Sequence, residues 1–148
     1  FNRLLAGRIR ALDRLEAGDV AYIHASGAAF IVQDPLVEQP RADRLEISPS
    51  GPLFGPKTLL AEGAPGRQEQ ELLAESGLSL DEFRLPGVKF KGARRPFRLP
   101  LSEVQAGWDD GLLFSFRLPP GGYATEVLRE VMKLEFGDET GGKSIEGT

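Results

Sequence analysis

An α+β chain is predicted from three features of the sequence. The most pronounced is residues 112–132, where the period of the apolar residues changes. Leu112, Phe114, Phe116 and Leu118 alternate with Leu113, Ser115 and Arg117, as along a strand with one apolar face. Pro119, Pro120, Gly121 and Gly122 then stop the strand. Proline has no donor for a ladder, and glycine takes turn dihedrals without steric cost. From Tyr123 onward Ala124, Val127, Leu128, Val131 and Met132 form one helical stripe, with Thr125, Glu126, Arg129, Glu130 and Lys133 on the other side. The second feature is Asp109-Asp110-Gly111, a turn that makes the preceding residues the hairpin partner of this strand. The third is Ser26-Gly27, a hairpin signal between two short strand candidates set among helical segments.

With 148 residues the chain can bury one core or two small ones. It has no cysteine, which excludes a disulfide, a thiolate nucleophile and a cysteine-ligated metal. No apolar run approaches the roughly 18–20 residues needed to span a bilayer, and no signal-peptide pattern opens the sequence. A cytoplasmic protein without a membrane partner is therefore expected. The chain opens on Phe1 rather than methionine, which leads us to expect a piece of a longer polypeptide.

In order along the chain, residues 1–15 carry Leu4, Leu5, Ile9 and Leu12 at helical spacings and are expected to be one helix. Gly7 inside it costs about 1 kcal/mol relative to alanine. Gly18-Asp19 reads as the turn that ends it. Residues 20–24 and 28–33 are the short strands, and Asp34-Pro35 marks the exit. Residues 40–45 can hold one helical turn, and 45–47 a brief strand. Residues 48–66 are so rich in proline and glycine that neither a helix nor a long strand is expected. Leu53, Phe54, Leu59 and Leu60 argue instead for an ordered loop packed by its own side chains. Residues 67–76 form a helix with Leu72 and Leu73 inward and Gly77 as its stop. Ser79 with Glu82 fits a capping box for a short helix over 80–84. A strand within 89–100 alternates Phe97 and Leu99 with Arg98. Residues 137–148, polar and glycine-rich, are expected to be a disordered tail.

Candidate chemistry concentrates between residues 84 and 98. Arg84, Lys89, Lys91, Arg94, Arg95 and Arg98 fall there with no acidic residue, in a chain of net charge −4. Such an island can bind phosphates, or be a solvated face; the residues alone leave both open. Phe90, Gly92 and Phe97 interleave with the charges, which suits base stacking or a core equally well. His24 is the single histidine and has no evident partner. Without cysteine or a second histidine a zinc site is not expected. Asp109 and Asp110 read as turn residues rather than a carboxylate pair, and no phosphate-loop or nucleophile-elbow motif occurs.

Read in order, Phe1-Asn2 with Arg8, Gly18-Asp19, Ser-Pro-Ser-Gly-Pro-Leu-Phe-Gly at 48–55, Arg94-Arg95 and Phe-Arg-Leu-Pro-Pro-Gly-Gly-Tyr-Ala-Thr-Glu-Val-Leu-Arg-Glu at 116–130 resemble the C-terminal part of the TruD family of tRNA pseudouridine synthases. The resemblance covers about residues 1–133. It implies that residues 1–91 are the C-terminal half of an insertion domain, made of helices and a short hairpin. Residues 92–136 would return into the catalytic domain, giving strand, strand and helix to its mixed sheet. It implies an isomerase that breaks the uridine N-glycosidic bond, turns the base and rejoins it through C5, without cofactor or metal. The required aspartate belongs to a Gly-x-Lys-Asp motif. No Lys-Asp dipeptide occurs here, so none of the eight aspartates can inherit that role and no catalytic residue is expected in this chain. Phe54 stands where the family commonly has tryptophan.

Two readings follow. In the first, the chain is a fragment of a tRNA-modifying enzyme, with tRNA and the missing N-terminal part of the polypeptide as partners. Lys89, Lys91, Arg94, Arg95 and Arg98 would contact the RNA backbone. Tyr123 and Thr125 would line the uridine pocket, or pack together at the helix start. In the second, the chain is a stand-alone, non-catalytic RNA-binding or protein-interaction module of the same ancestry. The strand at 112–118 would expose an edge and an apolar face in the isolated chain, so self-association is expected.

Overall fold

Val20, Ala21, Val32 and Ile47 are fully buried, and they lie in or beside the strands of a four-stranded antiparallel sheet. The computed structural model describes residues 1–84, 87 and 90–132. Strand β1 (Val20–Ile23) pairs with β2 (Ala29–Ile31) across the expected Ser26-Gly27 turn. Strand β3 (Ile47–Leu53) lies on the other side of β1 and pairs in turn with β4 (Ala93–Pro96), giving the order β2-β1-β3-β4. Leu15, Ala21, Val32, Ala42 and Ile47 form the core, with Ile23 and Phe30 packed against it.

Strand β3 corrects the expectation of a loop over 48–66, because Ser-Pro-Ser-Gly-Pro sits in the middle of the sheet. The register explains how. Phe97 donates its N–H to Pro49 O at 2.9 Å, so the bonded levels of the β3–β4 ladder are 49/97 and 51/95. Pro52 opposite Arg94 and Pro96 opposite Ser50 fall on the alternate levels, where no ladder donor is needed. On the β1 side His24 donates to Glu46 O at 3.1 Å, which puts Pro49, opposite Ala21, on an unbonded level there; toward β4, on the bonded 49/97 level, Pro49 serves as an acceptor alone.

The helices differ from the expected spans for local reasons. Helix α1 covers only Asn2–Arg8 and not residues 1–15. Arg8 Nη2 donates to Arg14 O at 2.7 Å, and Gln39 binds the backbone at Asp13 and Leu15, so residues 9–15 fold back as turns. Ile9 is consequently exposed. Asp34-Pro35, expected as an exit, starts helix α2 (Pro35–Asp43): Asp34 accepts from Leu36 N at 2.9 Å, and proline is at ease in a first turn. The helix closes on a left-handed Leu45, with Leu45 N bonded to Ala42 O and Glu46 N to Arg41 O. Helix α3 (Gly63–Glu75) begins inside the Gly-Ala-Pro-Gly run, since first-turn N–H groups need no intrahelical partner. The Ser79/Glu82 capping box is formed and opens a 3₁₀ turn, Leu80–Phe83.

The chain divides into two compact units, Phe1–Pro100 and Leu101–Thr148. In the second, β5 (Ser102–Trp108) and β6 (Leu112–Arg117) form the expected hairpin around Asp109-Asp110-Gly111, with an irregularity between Ser102 and Gln105. Helix α4 (Ala124–Met132) follows the Pro-Pro-Gly-Gly turn, as expected. No described residue of this unit is buried. The expected tail lies outside the described residues.

Gly18 has φ +90°, and a Cβ there would lie 2.2 Å from Glu62 O. Its N–H binds Val32 O and its carbonyl accepts from Glu62 N, both at 2.8 Å, so it cannot move aside. Gly18→Ala is expected to cost at least about 2 kcal/mol in urea unfolding. Gly7, with nothing within 4 Å of a built Cβ, is the control: Gly7→Ala should raise stability by up to about 1 kcal/mol.

Candidate nucleic-acid interface

Strand alternation sorts the basic island into two sets. Arg94 faces the sheet interior, and its side chain is 4% exposed. Its Nη1 donates to Glu69 Oε1 at 2.8 Å and to Leu59 O at 3.2 Å. Its Nε donates to Ser50 Oγ at 3.1 Å, and its Nη2 donates to Ser50 O. Glu69, equally buried, accepts Ala61 N on its other oxygen at 2.9 Å. Burial pulls the Arg94 guanidinium below its ordinary pKa, while Glu69 and Asp19 hold it up. Arg98 also turns inward. Its Nη2 donates to Ala42 O at 2.8 Å and to Ile47 O at 3.4 Å, and burial lowers its pKa against Asp13 and Asp43. Arg94, expected at the RNA, spends its donors on the protein itself, as does Arg98 Nη2, whereas Arg98 Nε is buried without a hydrogen-bond partner among the described residues.

Arg95 and Lys91 remain outward. The Arg95 guanidinium lies over the Phe1 ring, 4.9 Å from its centroid, and Lys91 is exposed. Lys89 lies outside the described residues. Arg95 belongs to an open groove of about 560 Å³ lined by Phe1, Arg3, Leu53, Phe54, Leu72 and Arg95, among others. Gly51 lies opposite Arg95 in the ladder, and a Cβ there would come within 2.9 Å of both the Phe1 and Phe97 rings. The missing side chain lets the two rings meet, with centroids 5.7 Å apart. Sequence reasoning picked out Phe1 and Phe54 as motif residues but did not place them in one groove. Nothing in the polar run around Glu69 marked it as the partner of Arg94.

A second buried pair holds the Gly18-Asp19 turn. Arg8 donates both terminal nitrogens to Asp19, each at 3.1 Å, and Glu16 N donates to Asp19 Oδ2 at 2.8 Å. Asp19 is thus a locked structural carboxylate, 4% exposed. His24 does have a partner: its Nε2 lies 2.9 Å from Ser48 Oγ. In the second unit Tyr123 is exposed, and its carbonyl accepts Glu126 N at 3.1 Å as the helix starts; Thr125 is exposed as well. Among the described residues no three carboxylate, histidine or cysteine side chains gather as a metal site, and no helix is long and apolar enough to cross a membrane.

Fold and site define an α+β chain with a basic, aromatic groove and two buried carboxylates, Asp19 and Glu69, each neutralised by an arginine. The family model described as tRNA pseudouridine synthase D (TruD) matches residues 1–131. The tRNA pseudouridine synthase D of Geobacter metallireducens is 49% identical over 135 residues, which is 90% of this chain and 33% of the relative. That of Thermus thermophilus is 51% identical over 124 residues, 83% of this chain and 33% of the relative. A crystal structure from Methanosarcina mazei assigned to tRNA pseudouridine synthase D aligns with a TM-score of 0.72 at 31% identity, over 90% of this chain and 36% of that one. The chain belongs to the TruD family of tRNA pseudouridine synthases. It spans about a third of the length of the curated relatives it matches.

Removing Glu69 leaves a buried guanidinium without its counter-ion. Glu69→Ala is expected to cost about 3–5 kcal/mol in urea unfolding; a loss under about 1 kcal/mol would show that the pair contributes little. Burial and the Arg98 charge hold the His24 imidazole below its ordinary 6.5. The unfolded chain then binds the extra proton first, so His24 contributes stability that is present above about pH 6.5 and declines as the pH falls below it. Melting temperatures taken between about pH 7.5 and 5 should fall less steeply for His24→Asn than for the parent chain.

Proposed function

We propose that this chain works as one part of a tRNA pseudouridine synthase, supplying RNA grip and scaffold to an isomerase whose reactive aspartate lies elsewhere in the polypeptide. The observation that carries the reading is the family match across residues 1–131 together with coverage of only about a third of the relatives. Pseudouridine formation requires a free carboxylate beside the uridine C1′ while the base detaches, turns and reattaches through C5. The buried aspartate described here, Asp19, has both oxygens engaged by Arg8.

We place the passage from insertion domain to catalytic domain near the boundary of the compact units, after Pro100, because β4 still pairs with β3. The second unit then delivers hairpin and helix to the catalytic sheet. The absence of any buried side chain among its described residues supports this: Leu112, Leu113, Leu128, Val131 and Met132 await cover. The missing part of the polypeptide is the intended cover, and in its absence a second copy would serve. We assign Tyr123 and Thr125, exposed at the start of α4, to the uridine side of this unit. Lys91 and Arg95, with Lys89, supply the phosphate contacts.

The test compares the full-length polypeptide with this chain alone on tRNA transcripts. Pseudouridine is expected from the first and none from the second; turnover by the chain alone would end the reading. In the full-length protein, Lys91→Ala and Arg95→Met should each lower the salt slope of tRNA binding by about one. Arg94→Met should lower stability and leave that slope in place.

A further inference from the structure

We infer that Lys57 and Lys91 together form a two-lysine seat for the sugar–phosphate backbone of the RNA. Lys57 lies outside the basic run of residues 84–98, so the seat brings a second segment of the chain, the turn after β3, to the RNA. The inference rests on the proposed function and adds this contact to it.

The two lysines are distant in sequence and neighbours in the structure. Lys57 donates its backbone N–H to Lys91 O at 2.9 Å. Each is placed by a local device. Thr58 N bonds to Gly55 O at 3.1 Å, which closes a turn with Pro56 at its first corner and Lys57 at its second. Thr58 Oγ1 donates to Leu53 O at 3.1 Å and ties that turn to the end of β3. Lys91 lies just before β4, the strand that pairs with β3. Gly55 and Gly92 let the two segments cross. A Cβ on Gly55 would run into the Gly92 backbone. One on Gly92, at φ +82°, would run into Thr58 Oγ1 and the Gly55 backbone. Glycine at both positions is what permits so close an approach.

The crossing puts two positive charges side by side. Both lysines are exposed, and among the described residues neither ammonium has an ion pair or a hydrogen bond. Other cations of this unit are engaged: Arg3 by Glu75, Arg84 by Asp81, Arg94 by Glu69, and Arg95 over the Phe1 ring. Like charges held next to each other repel and cost stability unless an anion lies between them. A backbone crossing that forces them together therefore points to an anionic ligand. With the backbones bonded, the two four-carbon stems can bring both ammonium groups to one anion. A nucleic-acid backbone presents one negative charge per nucleotide. Lysine binds phosphate as a point charge on a flexible stem, which suits a strand gripped without regard to its sequence.

The experiment uses the full-length polypeptide, a tRNA transcript and a potassium chloride titration. Lys57→Ala is expected to lower the salt slope of binding by about one, as Lys91→Ala does, and the double variant by about two. Lys57→Arg should keep the parent slope. Lys57→Glu tests adjacency. A carboxylate placed there would pair with Lys91, so the slope should fall by about two rather than one. The melting temperature of the RNA-free protein at low salt should then rise above the parent value, and adding Lys91→Ala should abolish the rise. The melting temperature of Lys57→Ala should equal or exceed that of the parent; a lower one would show that the fold itself uses the ammonium, and the inference would be overturned. If Lys91→Ala lowers the slope and Lys57→Ala does not, the seat falls and the proposed function stands. If tRNA does not bind at all, the RNA reading falls and the seat with it.

Discussion

The Arg94–Glu69 pair is the contact on which the first unit depends. Both side chains are 4% exposed, so each charge has given up nearly all its water. Desolvation of that kind roughly cancels the attraction between the ions, and such a pair persists only when the remaining donors are satisfied as well. Here they are. Arg94 reaches Ser50 and Leu59 as well as Glu69, and Glu69 takes the N–H of Ala61. Strands β3 and β4, the loop after Phe54 and helix α3 are thereby tied at one point. Ser50 extends the tie by donating to Val20 O at 2.5 Å, so β1 is included. What the pair supplies is less net energy than a single permitted register. A slip of one residue along β4 would put Arg95 on the buried face and turn Arg94 outward.

That register also sends neighbouring cations to opposite faces of the sheet. A run of arginines and lysines looks uniform along the chain, but a strand has two faces, and alternate residues go to opposite ones. Arg94 is bonded inside the sheet and Arg95 lines the groove over the Phe1 ring. The same logic explains Gly51, which lies across from Arg95: with any side chain there, Phe1 and Phe97 could not close beneath the guanidinium.

The sequence made some of this legible. The hairpin at Ser26-Gly27, the hairpin and helix of residues 102–132 and the Ser79 capping box were readable because each depends on interactions within a few residues. The motif order was enough to indicate the family. What was not legible depends on partners far along the chain. Strand β3 looked like a loop because proline and glycine forbid most strands; it is permitted here by a register in which each proline takes an unbonded level or faces away from β1. Helix α1 stops at Arg8 because Arg14 and Gln39 capture the following backbone, and Gln39 gives no hint of this in its own neighbourhood. Arg94 and Arg98 were read as a surface because their anchors, Glu69, Ser50, Ala42 and Ile47, are between 25 and 56 residues away.

The two units are short of different things, and the shortages agree. In the first, the buried carboxylates Asp19 and Glu69 are each locked by an arginine, and a carboxylate so engaged cannot act on a sugar carbon or a base. In the second, helix α4 has a strongly one-sided apolar stripe, yet Leu128, Val131 and Met132 are all at least 40% exposed. An isolated hairpin with one nine-residue helix has too little buried surface to offset its ordering entropy. A stripe that regular in sequence and that bare in structure implies a surface to receive it. A chain spanning a third of its relatives leaves ample polypeptide to provide both the receiving surface and the free carboxylate. In the proposed reading one body supplies both, since a strand that covers an apolar face can also hold a reacting group rigid beside its substrate.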